Sequence, residues 1–229
     1  MFRVLFMKEL REIWWFGLLA LLAMLYLVAG EVEFGRLPTW GYGSLRHMYP
    51  EKYHAVPFVS GNFSKFTLLW GSVLAAVLGL WQTFREIQSR TWHFLLHRPV
   101  SRLLVLQAKL AAAGVVYALA ILLPVLLITA WAATPGSYAG PFRWMLIAPA
   151  YLAVFAGTPI YLAALFAGLR RGHILGTRWW PLIVAVACFG IGPTIAAPVM
   201  LAWMWLGLVV GNLLLTAVVH DEMKTADFN

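Results

Sequence analysis

The chain has 229 residues, of which 62% are hydrophobic and 11% charged, with a mean hydropathy of +0.79 and a formal net charge of +8. Soluble domains are nearer half apolar and a quarter charged, so this composition excludes an ordinary water-soluble globule and points to the bilayer as solvent. The single cysteine, Cys188, excludes an intrachain disulfide, and the basic excess is informative through its placement, not as a nucleic-acid footprint.

The first element is FMKELREIWW. Phe2, Leu5, Phe6, Leu10, Ile13 and Trp14 share one broad helical face, with Lys8, Arg11 and Glu12 opposite. That pattern predicts an interfacial helix that bends into a first span at about 13–30. Glu9 falls within the apolar face, where a carboxylate needs a cation; Arg85 and Arg90 are the candidates. Glu9 and Glu12 in the leading segment, and the length of the apolar run, favour a signal anchor over a cleaved signal peptide. The polar stretch 31–66, with His47, His54 and three glutamates, reads as a solvated outer loop.

A second span is expected at 67–83. Residues 84–98, wound as a helix, put Phe84, Ile87, Thr91, Phe94 and Leu95 on one side. Glu86, Arg90, His93 and His97 fall on the other, with Glu86 and Arg90 spaced for an i,i+4 ion pair. This is the pattern of an amphipathic helix along the cytoplasmic surface. Pro99 then disfavours helix at Arg98, and Ser101 is placed to cap the next span. His93 and His97 share metal-ligand spacing but lack a third ligand nearby, so they read as surface histidines and no metal is assigned.

Four further spans follow at 103–131, 143–169, 179–196 and 199–219. The uncharged GIGPTIAAP (190–198) separates the last two as a tight turn or break, and GLVVG (207–211) allows close helix approach in the last. With the N-terminus in the cytoplasm, five of the 17 Lys and Arg fall on the outer side and all the others on the inner. The expected architecture is therefore an all-α membrane protein, one transmembrane domain over 1–229, with six spans and both termini cytoplasmic.

The spans carry almost no chemistry. No Asp, Glu, Lys, Arg or His occurs in 110–142, 144–169 or 179–219, leaving Tyr117, Tyr151, Tyr161, Thr129, Thr158 and Asn212 as the main polar groups at depth. An ion-coupled transporter or an intramembrane hydrolase needs ionisable or metal-binding groups there. There is also no GxxxxGK[ST] phosphate loop, and GLRRGHILG (168–176) lacks its ending, so energy for transport would have to come from another subunit.

Two stretches carry a specific likeness. FMKELREIWW followed by a span resembles the amino-terminal connecting helix of type-2 ABC transporter permeases. FREIQSRTWHFLLHRPVSRLLVLQAKL resembles their connector between spans two and three, matching at Glu86, Thr91, Phe94, Leu95, Leu96, Pro99, Val100, Ser101, Arg102 and Lys109. Arg90 stands where Gly is usual and His93 where Glu is common, and the outer region between the last two spans is short.

The resemblance implies a coupling helix that contacts a separate ABC ATPase subunit through Glu86, Arg90, Trp92, His93, Phe94, Leu95, His97 and Arg98. It implies an interfacial helix carrying Lys8, Glu9, Arg11 and Glu12, and a second permease copy, identical or not. Tyr117, Tyr151 and Tyr161 are the expected path residues. The chain itself would be non-catalytic and bind no cofactor, with ATP and Mg on the partner, in a cell membrane of bacterial inner-membrane type. The alternatives are a haem- or metal-binding membrane redox or enzyme subunit, and a membrane assembly factor without a transport cycle.

Overall fold

The computed structural model describes residues 1–31, 62–88, 102–135, 142–169, 179–191 and 201–225. Every regular element among them is helical. They are α1 (Phe2–Glu31), α2 (Asn62–Gln88), α3 (Arg102–Tyr117), α4 (Leu123–Ala133), α5 (Trp144–Leu169), α6 (Trp180–Ala185) and α7 (Leu201–Thr225). A π-helical segment, Ala118–Leu122, joins α3 to α4, and a second, Val186–Ile191, continues α6.

Four helices are long and apolar enough to cross a membrane: Phe2–Ala29, Phe63–Glu86, Leu103–Ala133 and Ile147–Leu169. The last two expected spans correspond to shorter apolar helices, Trp180–Gly190 and Met204–Val219, with 192–200 outside the described residues. The expected bend after an N-terminal interfacial helix does not interrupt α1, which is one helix of 30 residues. At 1.5 Å per residue it is about 45 Å long, so its first turns can extend past a hydrocarbon core of about 30 Å without breaking.

The central helix is α5, which packs most extensively on α2 and also against α7 and α6. Small residues make that contact close. A side chain at Gly79 of α2 would meet Tyr161 O at 2.7 Å and the Leu165 backbone N at 2.9 Å, so only glycine lets the two backbones meet there. On the other side, α1 packs on α3 and α2, and Ile13, Met24, Ala75, Leu78, Ala112 and Ile121 join one buried apolar cluster. Phe16 and Trp81 make an edge contact between α1 and α2, with ring centroids 5.1 Å apart.

Prolines inside these helices remove backbone donors, and the polar residues at depth answer them. Pro159 leaves the Phe155 carbonyl without its i→i−4 partner, and Thr158 Oγ1 donates to that oxygen at 2.7 Å. Pro124 follows the first π segment, where the Leu123 N–H reaches back five residues to Ala118 O. The wider turn thus falls beside the missing donor, a common way for a helix to absorb a proline.

Candidate functional site

Three buried charged side chains and a buried amide converge at one level. Glu9 is 3% exposed, Glu86 2%, Lys109 2% and Gln82 1%. They come from α1, α2 and α3, with α2 supplying two. Lys109 Nζ donates to Glu9 Oε1 at 3.1 Å and to the Gln82 backbone carbonyl at 3.0 Å, and it stands 3.0 Å from Glu86 Oε1. Lys8 Nζ lies 3.5 Å from Glu86 Oε1 and 3.8 Å from Glu9 Oε1, with its side chain 38% exposed. Two carboxylates and two ammonium groups therefore share the site with no formal excess of either sign, which a low-dielectric setting requires.

Local sequence explains the arrangement. Glu9 sits between Phe6, Leu10 and Ile13, all packed on the core, so the face that buries them carries its carboxylate inward. Gln82 and Glu86 are one turn apart on α2 and so share a face. Lys109 occupies the second turn of α3 between buried Ala108 and Ala112, small neighbours that leave room for its long stem.

A neutral extension ties the cluster to the central helix. Tyr161 OH of α5 donates to Gln82 Oε1 at 2.6 Å, and Gln82 Nε2 donates to the Lys109 carbonyl at 3.4 Å. Beside the cluster, Arg85 Nε lies 3.7 Å from Glu12 Oε2, a more exposed pair that repeats the α1–α2 tie. Surface pairs of this kind contribute about 0–1 kcal/mol.

Several expectations are corrected here. The cation beside Glu9 is Lys109, not Arg85, which pairs with Glu12 instead. Glu86 does not stand on an exposed face: α2 continues to Gln88, so Glu86 keeps the phase of that helix and is buried against α1 and α3. Among the residues of the interfacial helix, Arg11 is exposed and Lys8 and Glu12 are half-buried, whereas Glu9 is in the core.

The three tyrosines expected along a path are engaged inside the bundle. Tyr161 is 8% exposed and holds Gln82; Tyr117 OH donates to Val154 O at 2.7 Å; Tyr151 OH donates to Thr129 Oγ1 at 3.1 Å. Their hydroxyls stitch α3, α4 and α2 to α5. Arg90, Trp92, His93, Phe94, Leu95, His97 and Arg98 lie outside the described residues. So do His47, His54 and most of the outer loop.

Gln82 and Lys109 were not singled out as site residues by sequence. The available signal was a lysine flanked by apolar residues inside a predicted span, an expensive placement unless a carboxylate meets it. Among the described residues no group of three His, Cys, Asp or Glu is arranged to hold a metal ion. No family model, curated protein or solved structure matches this chain.

Proposed function

We propose that this chain is the membrane-spanning subunit of an ATP-driven exporter, a permease of the type-2 ABC class that is not itself an ATPase. It crosses the membrane six times with both ends cytoplasmic and works as one of two permease copies. Two separate ATPase subunits bind and hydrolyse ATP with Mg. The substrate class that suits an interior this poor in charge is amphipathic or apolar: a lipid, a drug-like amphiphile or a hydrophobic peptide.

The observation that carries this reading is the location of the buried charge cluster. Glu86 is two residues from the end of α2, and Lys109 is seven residues into α3, so the pair brackets the connector between those helices. Glu9 draws α1 into the same joint. A force applied to residues 89–101 by a partner would reach α1, α2 and α3 together, and α5 through Tyr161. Side chains such as Phe94 and Leu95 would serve as apolar anchors in the partner, with Arg90, His93 and His97 setting electrostatic fit.

The test is extraction in mild detergent from the native membrane with a C-terminal tag, followed by identification of what co-purifies. The reading expects a stoichiometric soluble ATPase that is lost in Phe94→Asp while the permease remains inserted. A protein that purifies alone, or with haem or bound metal, would overturn it.

A further inference from the structure

The first turns of α1 hold Arg3, Lys8 and Arg11 together with Glu9 and Glu12, and the fold sorts these charges by sign. Glu9 is buried and held by Lys109, and Glu12 is half-buried beside Arg85. Lys8 leans toward the same interior, 3.5 Å from Glu86. Arg3 and Arg11, by contrast, are exposed and make no hydrogen bond or ion pair among the described residues. At about 100° per residue, Arg3, Val4, Met7, Arg11, Trp14 and Trp15 fall within an arc of about 120°, with Glu9 opposite its centre. A segment that mixes both signs in sequence therefore turns outward a face with cations and no carboxylate.

Apolar groups interleave with those cations. Val4 is 72% exposed and Met7 54%, and the exposed Trp14 and Trp15 rings have centroids 3.9 Å apart. Water is a poor setting for such a surface; a membrane interface, with acyl chains on one side and charge on the other, accommodates it. Further along, the exposed side chains of α1 are Leu18, Leu19, Leu22, Leu25 and Tyr26, and no charged residue follows until Glu31. From Trp14 to Glu31 the helix rises about 26 Å, close to a hydrocarbon thickness of about 30 Å. The tryptophan pair thus marks the boundary, and Trp81 of α2, in contact with Phe16, stands at the same level. Arg11 is about 5 Å beyond that boundary, within the headgroup layer. A tilt of α1 toward this face, of the size usual in spans, brings Met7 and then Arg3 to the same layer.

Charge decides the occupant. A guanidinium grips a phosphate through two parallel N–H···O bonds. Arg3 and Arg11 are eight residues apart, about 12 Å along the axis, so they reach neighbouring headgroups and do not share one. A zwitterionic headgroup would bring an ammonium beside each phosphate, and this face has no carboxylate to meet it. An anionic headgroup brings no such charge.

We propose that this face of α1 binds anionic phospholipids of the adjoining leaflet. Arg11 and Arg3 hold the phosphates, Met7 and Val4 rest at the acyl boundary, and the chains run along Trp15 and Leu18. The proposal needs only that the chain is embedded in a bilayer; it does not depend on an ATPase partner.

The full-length protein, delipidated in detergent, can be titrated with dioleoyl phosphatidylglycerol or dioleoyl phosphatidylcholine and its adducts counted by native mass spectrometry. The first phosphatidylglycerol adducts are expected to be tighter than those of phosphatidylcholine. Arg3→Gln and Arg11→Gln should each weaken phosphatidylglycerol binding about fivefold, the worth of one cation at an anionic surface, and leave phosphatidylcholine unchanged. Arg3→Lys combined with Arg11→Lys keeps the charge and should keep the preference. Both arginines are exposed, so none of these changes enters the core. Equal adducts for the two lipids, or a preference that the glutamine variants do not move, would overturn the site. A soluble protein that co-purifies with the wild type and is lost in the glutamine variants, with lipid binding unmoved, would also overturn it by giving the face to that protein.

Discussion

Lys109 is the side chain on which the buried cluster depends. Its ammonium is within 3.1 Å of Glu9 and 3.0 Å of Glu86, so removing it leaves two buried carboxylates to share the half-exposed Lys8, one negative charge in excess. Lys109→Met is expected to destabilise the protein by about 3–5 kcal/mol, because an unpaired buried charge is far more costly than a missing pair. Thermal unfolding in detergent reads this as a lower midpoint. The triple change Lys109→Met, Glu9→Gln and Glu86→Gln removes every buried charge in the set and should recover most of that loss. A triple variant as unstable as the single one would mean that the ammonium is held by packing, not by its carboxylates. At the edge of the cluster, Tyr161→Phe should cost about 1 kcal/mol by leaving Gln82 Oε1 without its donor.

The same residues show what sequence could and could not supply. Glu9 on an apolar face was legible as a carboxylate in need of a cation. Which cation was not, because the register of α1 against α3 is a tertiary fact with no local signature. Glu86 was assigned to an exposed face by winding 84–98 as a helix of its own. The helix that contains it starts at Asn62, and its phase turns Glu86 toward α1. Lys109 was counted with the cytoplasmic charges, although its apolar neighbours already set it apart.

At the scale of elements, the apolar runs located the helices well, since length and hydropathy alone determine where a chain can cross a bilayer. The expected span 143–169 corresponds closely to Trp144–Leu169, and 103–131 to the rod that ends at Ala133. The π segments were not legible, except that Pro124 marked a place where regular bonding must fail. The α2–α5 seam is likewise a matter of packing, and Gly79 is its narrowest point. Gly79→Val would place a branched side chain against the backbone of α5. Overpacking usually costs about 1–3 kcal/mol, and contact with backbone puts this change at the upper end or beyond. Circular dichroism melts of the variant should show an earlier transition with helix content intact at low temperature; an unchanged melt would contradict the close approach.

At the scale of the molecule, the described helices form a bundle around α5 whose outer faces are rich in exposed Trp, Leu and Val, as a lipid-facing surface should be. The proposed topology, six crossings with both ends on one side, makes a direct prediction. With Cys188→Ser removing the only cysteine, new cysteines at Gly43 and Asn229 should label from opposite sides of sealed vesicles. Labelling from the same side would remove the proposed topology.

The central claim is that the cluster joins the connector to the helices on either side of it, so that a partner can move them together. The most direct measurement is the ATPase rate of the proposed permease–ATPase complex in lipid nanodiscs, compared between wild type and the triple variant. The account predicts that the triple variant folds, keeps its ATPase subunit and loses the rate change that the permease imposes on that subunit, by about tenfold for a coupling of ordinary size. A folded complex without the cluster that still regulates hydrolysis as the wild type does would contradict it.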